Sequence, residues 1–149
     1  MLFYSASDSK LSTSINSKDI EQVQVFKYLG LLIDSKFTFK LHIQEITKKM
    51  NRCNRAIMFL RNCIPTFILL KIFYSIGYPF LNLHNLSWGC SYQTHLRPLI
   101  TSYNKIIRNI YYTTNTNYID TDNCYSSLKI PKLYQIYIKL AELMFRAIK

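Results

Sequence analysis

The chain has 149 residues, with 19 Lys and Arg against 8 Asp and Glu, and a formal charge of +11 at neutral pH. Hydrophobic residues make up 49% and charged residues 18%, a balance that excludes a disordered, highly charged tail. Three Gly and four Pro exclude a collagen-like or linker-like chain, and a length near 150 residues is enough for one domain with a sizeable core, burying about 68–70% of its unfolded surface.

The charge is uneven along the chain. Residues 1–39 carry four Lys and four acids, so the whole excess lies beyond them. Between Lys40 and Tyr111 ten basic residues meet one acid, Glu45, for a net of +9. A polyanion, above all nucleic acid, is the natural partner of such a surface, through phosphate contacts that release counterions. Abundant Lys, Asn, Ile and Tyr with little Ala also resembles AT-rich coding, which raises Lys without selection for charge. Coding bias leaves the neutral first quarter unexplained.

Residues 1–39 predict a small antiparallel β-hairpin sheet. Met1 to Tyr4 is a short apolar strand, Ser5 to Ser14 turns the chain, and Ile20 to Val25 alternates before running into Phe26 to Ile33. A strand at residue 1 normally continues a sheet built elsewhere.

From Lys40 the period changes to about 3.6. Ile43, Ile46, Met50, Cys53, Ile57 and Leu60 form one apolar stripe on a helix of about five turns. Lys48, Arg52 and Arg55 fall within a band of roughly 60° nearly opposite it, with Asn51 beside them. Phe59 lies on the same side, where packing under a neighbouring element is the commoner fate of an aromatic and stacking on a base or sugar the alternative.

Asn62 to Pro65 ends this helix, and Pro65 opens a second one running to about Tyr78, which Pro79 kinks or ends. Gly89 after Trp88 reads as a stop. A third helix is expected from about Leu96 to Tyr111, with Leu99, Tyr103, Ile106 and Ile110 inward, Lys105 and Arg108 on an outer face, and Pro98 confined to its first turn. Thr113 to Ser127 reads as a polar loop, and Asp120 and Asp122 within it as a solvated turn rather than a metal site. A last helix from Pro131 to Ile148 is expected to bury Leu133, Ile136, Tyr137, Leu140, Leu143 and Met144. The reading is therefore α+β: a β-hairpin unit at 1–39, a basic helical region at 40–111, a loop at 112–130 and an amphipathic helix at 131–149.

Catalytic chemistry is not apparent. The sequence has no G-x-S-x-G, P-loop or H-E-x-x-H motif, and His42, His84 and His95 have no partner at a motif spacing. Cys53, Cys63, Cys90 and Cys124 lack C-x-x-C spacing, which argues against zinc. Nothing ahead of the polar Ser5 to Asp8 resembles a secretion signal, so an intracellular chain, nuclear or cytoplasmic, with free thiols is expected. The apolar stretch Ile64 to Trp88 is interrupted by Lys71, Pro79, Asn82, His84 and Asn85, and reads as a buried helix rather than a membrane span.

The run FKYLGLLIDSKFTFKLHI from Phe26 to Ile43, the basic helix after it, PTFILLKIFYSIGYPFLNL, the Trp88-Gly89 pair, LRPLITSYNKIIRNIYY and SLKIPKLYQIYIKLAELMF resemble, in that order, the C-terminal part of reverse transcriptases of non-LTR, LINE-type, jockey-like retrotransposons. The resemblance spans nearly the whole chain. It implies that Phe26, Lys27, Tyr28, Leu29 and Gly30 match the palm-end hairpin near the primer 3′ end, and that the following helices match the thumb gripping the template-primer duplex. Lys48, Lys49, Arg52, Arg55, Arg61, Lys105 and Arg108 would then meet an RNA/DNA or DNA duplex.

The aromatic-x-Asp-Asp turn that places metals in that family is not present in this sequence, so Mg2+ belongs to the full-length parent and this chain is expected to have no cofactor, no metal site and no polymerase activity of its own. The expectation is a truncated piece, its Met1 an internal Met of a longer ancestor, that retains template-primer binding alone or in trans with the missing portion of a polymerase. The alternatives are a non-functional pseudogene product, or a membrane-surface or structural helical protein using Ile64 to Leu83.

Overall fold

The computed structural model describes residues 2–3, 14–15, 18–19, 22–111 and 120–148. Among these residues six short strands precede seven α-helices, so the α+β reading holds. The strands form three two-stranded ladders rather than one antiparallel sheet: β1 (Leu2–Phe3) pairs in parallel with β4 (Gln22–Val23), β2 (Ser14–Ile15) pairs antiparallel with β3 (Lys18–Asp19), and β5 (Val25–Tyr28) pairs antiparallel with β6 (Leu31–Asp34). Met1 and Tyr4, expected in the first strand, lie outside the described residues.

Between β5 and β6 the chain reverses in two residues, Leu29 at φ 46° and Gly30 at φ 90°. Positive φ at both central positions is the turn whose twist matches paired strands. Gly30 adopts it without a steric penalty, whereas Leu29 does so against the preference of a side chain that is itself 74% exposed. The Asp34 carboxylate organises the exit from β6 by accepting hydrogen bonds from the Thr38 hydroxyl and, at 3.1 Å, from the Phe39 amide. Burial works to raise the Asp34 pKa, but these hydrogen bonds outweigh it and hold the carboxyl below its usual range.

Helix α1 (Lys40–Leu60) buries Ile43, Ile46, Met50, Cys53 and Ile57, the stripe expected from the sequence, with Leu60 half-buried. His42 joins it inside. The second helical run is longer than expected: α2 (Thr66–Ile72), a π-helical stretch at Phe73–Gly77 and α3 (Tyr78–Asn82) follow without a break. The π turn lets the Tyr78 amide reach Phe73 O immediately before Pro79, so the proline sits in the first turn of α3 rather than ending the helix. Leu83 is extended and His84 left-handed, and the short α4 (Asn85–Trp88) closes on Gly89.

Helix α5 (Gln93–Ile110) begins three residues before the expected Leu96, which puts Pro98 inside it. Both Pro98 and Thr94, whose carbonyl loses its donor, are exposed, so water can satisfy the gap. Against α1, its main packing partner, α5 presents the central part of the core, and Leu99, Tyr103, Ile106, Ile107 and Ile110 are all essentially buried. Each such side chain contributes about 1.5–3 kcal/mol by leaving water.

The expected loop contains a helix, α6 (Thr121–Leu128). Asp120 caps it by accepting from the Asp122 amide, Cys124 and Tyr125 are buried beneath it, and Lys129 ends it in the left-handed conformation. Of the expected loop, residues 112–119 lie outside the described residues. Tyr125 meets Tyr103 edge-on at 5.6 Å, and Tyr103 stacks on Phe73 at 5.9 Å. Burial pushes both phenols well up, so they act as neutral hydrogen-bonding groups, Tyr103 donating to Pro131 O at 2.7 Å and Tyr125 to Asn104 Oδ1 at 2.7 Å.

Helix α7 (Leu133–Ile148) packs on α4 and α3. It buries Leu133 and Ile136 and half-buries Tyr137 and Leu140. Leu143 and Met144, expected inside, are 53% and 52% exposed. No helix of the described residues is long and apolar enough to cross a membrane.

Candidate nucleic-acid interface

The apolar stripe of α1 is held against α5, which turns the opposite face of α1 outward. Lys48, Arg52 and Arg55, at steps of four and three, stand on consecutive turns of that face and are exposed. Beside them α5 contributes Lys105, and with Asn51 and Asn54 these four cations line one open groove of about 520 Å³. Among the described residues, no acidic one lines it. The sole acid on α1, Glu45, is turned to Lys49 at 3.4 Å.

The floor is fixed by a side-chain network that bridges the two helices. Asn109 donates through Nδ2 to Asn54 Oδ1 at 2.8 Å and accepts at its own Oδ1 from Arg61 Nη1 at 2.6 Å. Because Asn109 lies 48 and 55 positions from its partners in sequence, these bonds pin the register of α1 against α5 at the point where the basic residues converge.

Not every expected contact converges there. Lys49 lies with its Nζ 5.1 Å from the centre of the Phe80 ring and is paired with Glu45. Arg61 belongs to the Asn109 network, and Arg108 donates through Nε to Thr121 Oγ1 at 2.9 Å. Lys48, Arg52, Arg55 and Lys105 are thus brought together, while Lys49, Arg61 and Arg108 are engaged elsewhere. Phe59 is 82% exposed on the basic side of α1 instead of packing under a neighbour.

The hairpin residues form a separate feature. Phe26 is half-buried, whereas Lys27, Tyr28, Leu29 and Gly30 are exposed. The tip is tethered to the helices where Leu29 O meets His84 Nε2 at 3.0 Å, and the second strand where the Leu32 amide donates to His42 Nδ1 at 3.3 Å. His42 is buried beside Trp88, with ring centres 6.3 Å apart, and burial lowers its pKa to about 4, so it is a neutral acceptor at physiological pH.

Among the described residues, no group of three or more His, Cys, Asp or Glu is placed to hold a metal ion. Asp120 is a helix cap, and Asp122 pairs with Lys132 at 2.8 Å. Cys53 and Cys124 are buried, and Cys63 and Cys90 are exposed.

Comparison with curated proteins finds the RNA-directed DNA polymerase from mobile element jockey of Drosophila melanogaster, 29% identical over 123 residues. The chain is distantly related to a retrotransposon RNA-directed DNA polymerase. The matched segment covers 80% of this chain and 13% of that polymerase, so the chain spans a small part of its relative's length. No family model and no solved structure matches.

Proposed function

We propose that this chain is a thumb-like piece of a retrotransposon reverse transcriptase that grips a template-primer duplex through its phosphate backbone without catalysing synthesis. The observation that carries this reading is the groove itself: four cations from two helices, no acid among its described lining residues, and a lining residue, Asn54, held in the Asn54–Asn109–Arg61 network that joins the helices. Clustered like charges on a helix face destabilise it by a few tenths of a kcal/mol per pair, and a polyanion reverses that cost. Cations spaced along two helices suit an RNA/DNA hybrid, whose near-A-form groove offers backbone and 2′-OH contacts rather than a sequence code. In this reading the exposed tip from Tyr28 to Gly30 lies toward the primer end. The chain contains no Asp-Asp pair to place catalytic metals, so binding rather than nucleotidyl transfer is the proposed activity.

The experiment is a titration of a labelled RNA/DNA hybrid across salt concentrations. Four phosphate contacts give a slope of log affinity against log salt of about −3.6, or roughly a hundredfold loss between 50 and 200 mM salt. Binding that is absent at low salt, or that is insensitive to salt, would contradict the reading.

A further inference from the structure

On the side of α5 turned away from Lys105 lies a second concavity, a cleft of about 550 Å³ walled by α4, α5, α6 and α7. Its size is that of a small-molecule pocket, and its lining differs in kind from the basic groove. Tyr103 and Tyr125 form the back, locked by their hydrogen bonds to Pro131 O and Asn104 Oδ1. Tyr134 and Tyr137 stand on the α7 side, the first 58% exposed and the second half-buried.

Polar groups converge on the same space. Asn85 is 1% exposed; its Nδ2 donates to Leu81 O at 2.7 Å, while its Oδ1 has no hydrogen-bond partner. A buried carbonyl oxygen without a donor costs about 1–3 kcal/mol, so its retention calls for a reason. That oxygen and Tyr137 Cδ2 are 2.7 and 2.8 Å from the point a Cβ on Gly89 would occupy. The glycine thus allows the close approach of Asn85 and Tyr137, and all three residues line the cleft. The carboxamides of Gln93 and Asn104 and the ammonium of Lys132 complete the lining.

We propose that this cleft receives a single unstacked nucleobase. The accessible rings of Tyr134 and Tyr137 can stack on either face of a base, above a floor of buried tyrosines. The unpaired Asn85 oxygen requires an N–H donor, which base edges supply, and side-chain carboxamides pair with base edges through adjacent donor and acceptor atoms. A purely apolar ligand would leave Asn85 unmatched, and a carboxylate would meet Asp122. The inference rests on the nucleic-acid reading above for the source of the base. It adds that a single-stranded stretch is bound on the far side of α5 from the duplex.

The test compares a short single-stranded oligonucleotide with an abasic sugar-phosphate strand of equal length, alongside the hybrid. The intact chain is expected to bind the base-bearing strand about tenfold more tightly than the abasic one. Tyr134→Ala, a change at an exposed position, and Gln93→Leu should each erase most of that ratio and leave hybrid affinity unchanged. Equal affinity for the two strands with salt-dependent hybrid binding intact overturns the base site and leaves the groove standing. Loss of all binding in the unsubstituted chain overturns both. A base preference that survives Tyr134→Ala but vanishes in Phe59→Ala also overturns the cleft, by moving the stacking surface to α1.

Discussion

Replacing Lys48, Arg52 and Arg55 together by Glu is expected to abolish measurable binding of an RNA/DNA hybrid while leaving the fold intact. All three side chains are exposed and none makes a hydrogen bond or ion pair to another described residue, so the substitution changes the sign of a face and removes no core contact. Surface changes of this kind alter stability by about 0.5 kcal/mol or less each. The effect on binding is much larger, because the groove would pass from four cations to one cation and three anions. Each lost phosphate contact lowers the salt slope by about 0.9, and the introduced carboxylates repel the backbone besides. An affinity loss of at least a hundredfold at 50 mM salt, with an unchanged thermal transition, is the expected result. Unaltered hybrid binding would remove the physical basis of the thumb reading.

The second expected effect concerns His42, which joins the hairpin to α1. Its folded pKa is about 4 against an unfolded value of 6.5. Burial is the main cause, with the nearby His84 and Lys49 adding to it and Glu45 opposing. From pH 6.5 down to 4 the unfolded chain takes up a proton that the folded chain refuses, so stability falls as pH falls through this window and is complete above it. The contribution lost by pH 4.5 is about 2–3 kcal/mol. Protonation also removes the acceptor for the Leu32 amide. In His42→Asn, whose side-chain oxygen retains an acceptor without titrating, the difference in urea-unfolding free energy between pH 7 and 4.5 should shrink by about 2 kcal/mol. A pH dependence equal to that of the unsubstituted chain would place the titrating group elsewhere.

Much of this arrangement is legible in the sequence, and what is not has physical causes. The stripe from Ile43 to Ile57 is buried as its period predicts, and the position of Lys48, Arg52 and Arg55 opposite it follows from helical geometry alone. That Lys105 joins them is not a local property. It depends on the register of α5 against α1, set by core packing and the Asn54–Asn109 bond across 55 residues. The same register sends Arg108 to Thr121, although Lys105 and Arg108 are neighbours on one helical face.

Helix α6 was hidden by composition, since Thr, Asp, Asn and Ser dominate it. The signal was present in Asp120 as a cap ahead of the buried pair Cys124 and Tyr125. Pro98 misplaced the start of α5 because a proline inside a helix is disfavoured, a cost reduced here by its exposed position. The outer half of α7 shows the limit of periodicity: an apolar stripe specifies a face but not how far its packing partners extend, and Leu143 and Met144 remain half-exposed. The cleft behind α5 was invisible because its tyrosines and carboxamides come from four separate segments.

Of the measurements that bear on the groove, residue-resolved mapping is the most direct. In a titration of the isotopically labelled chain with an RNA/DNA hybrid at low salt, followed by amide and side-chain resonances, the largest shifts should fall on α1 from Lys48 to Phe59 and on α5 around Lys105. Shifts centred instead on Lys129, Lys139 and Arg146, or spread evenly over every exposed cation, would contradict the assignment of the α1–α5 groove as the duplex-binding face.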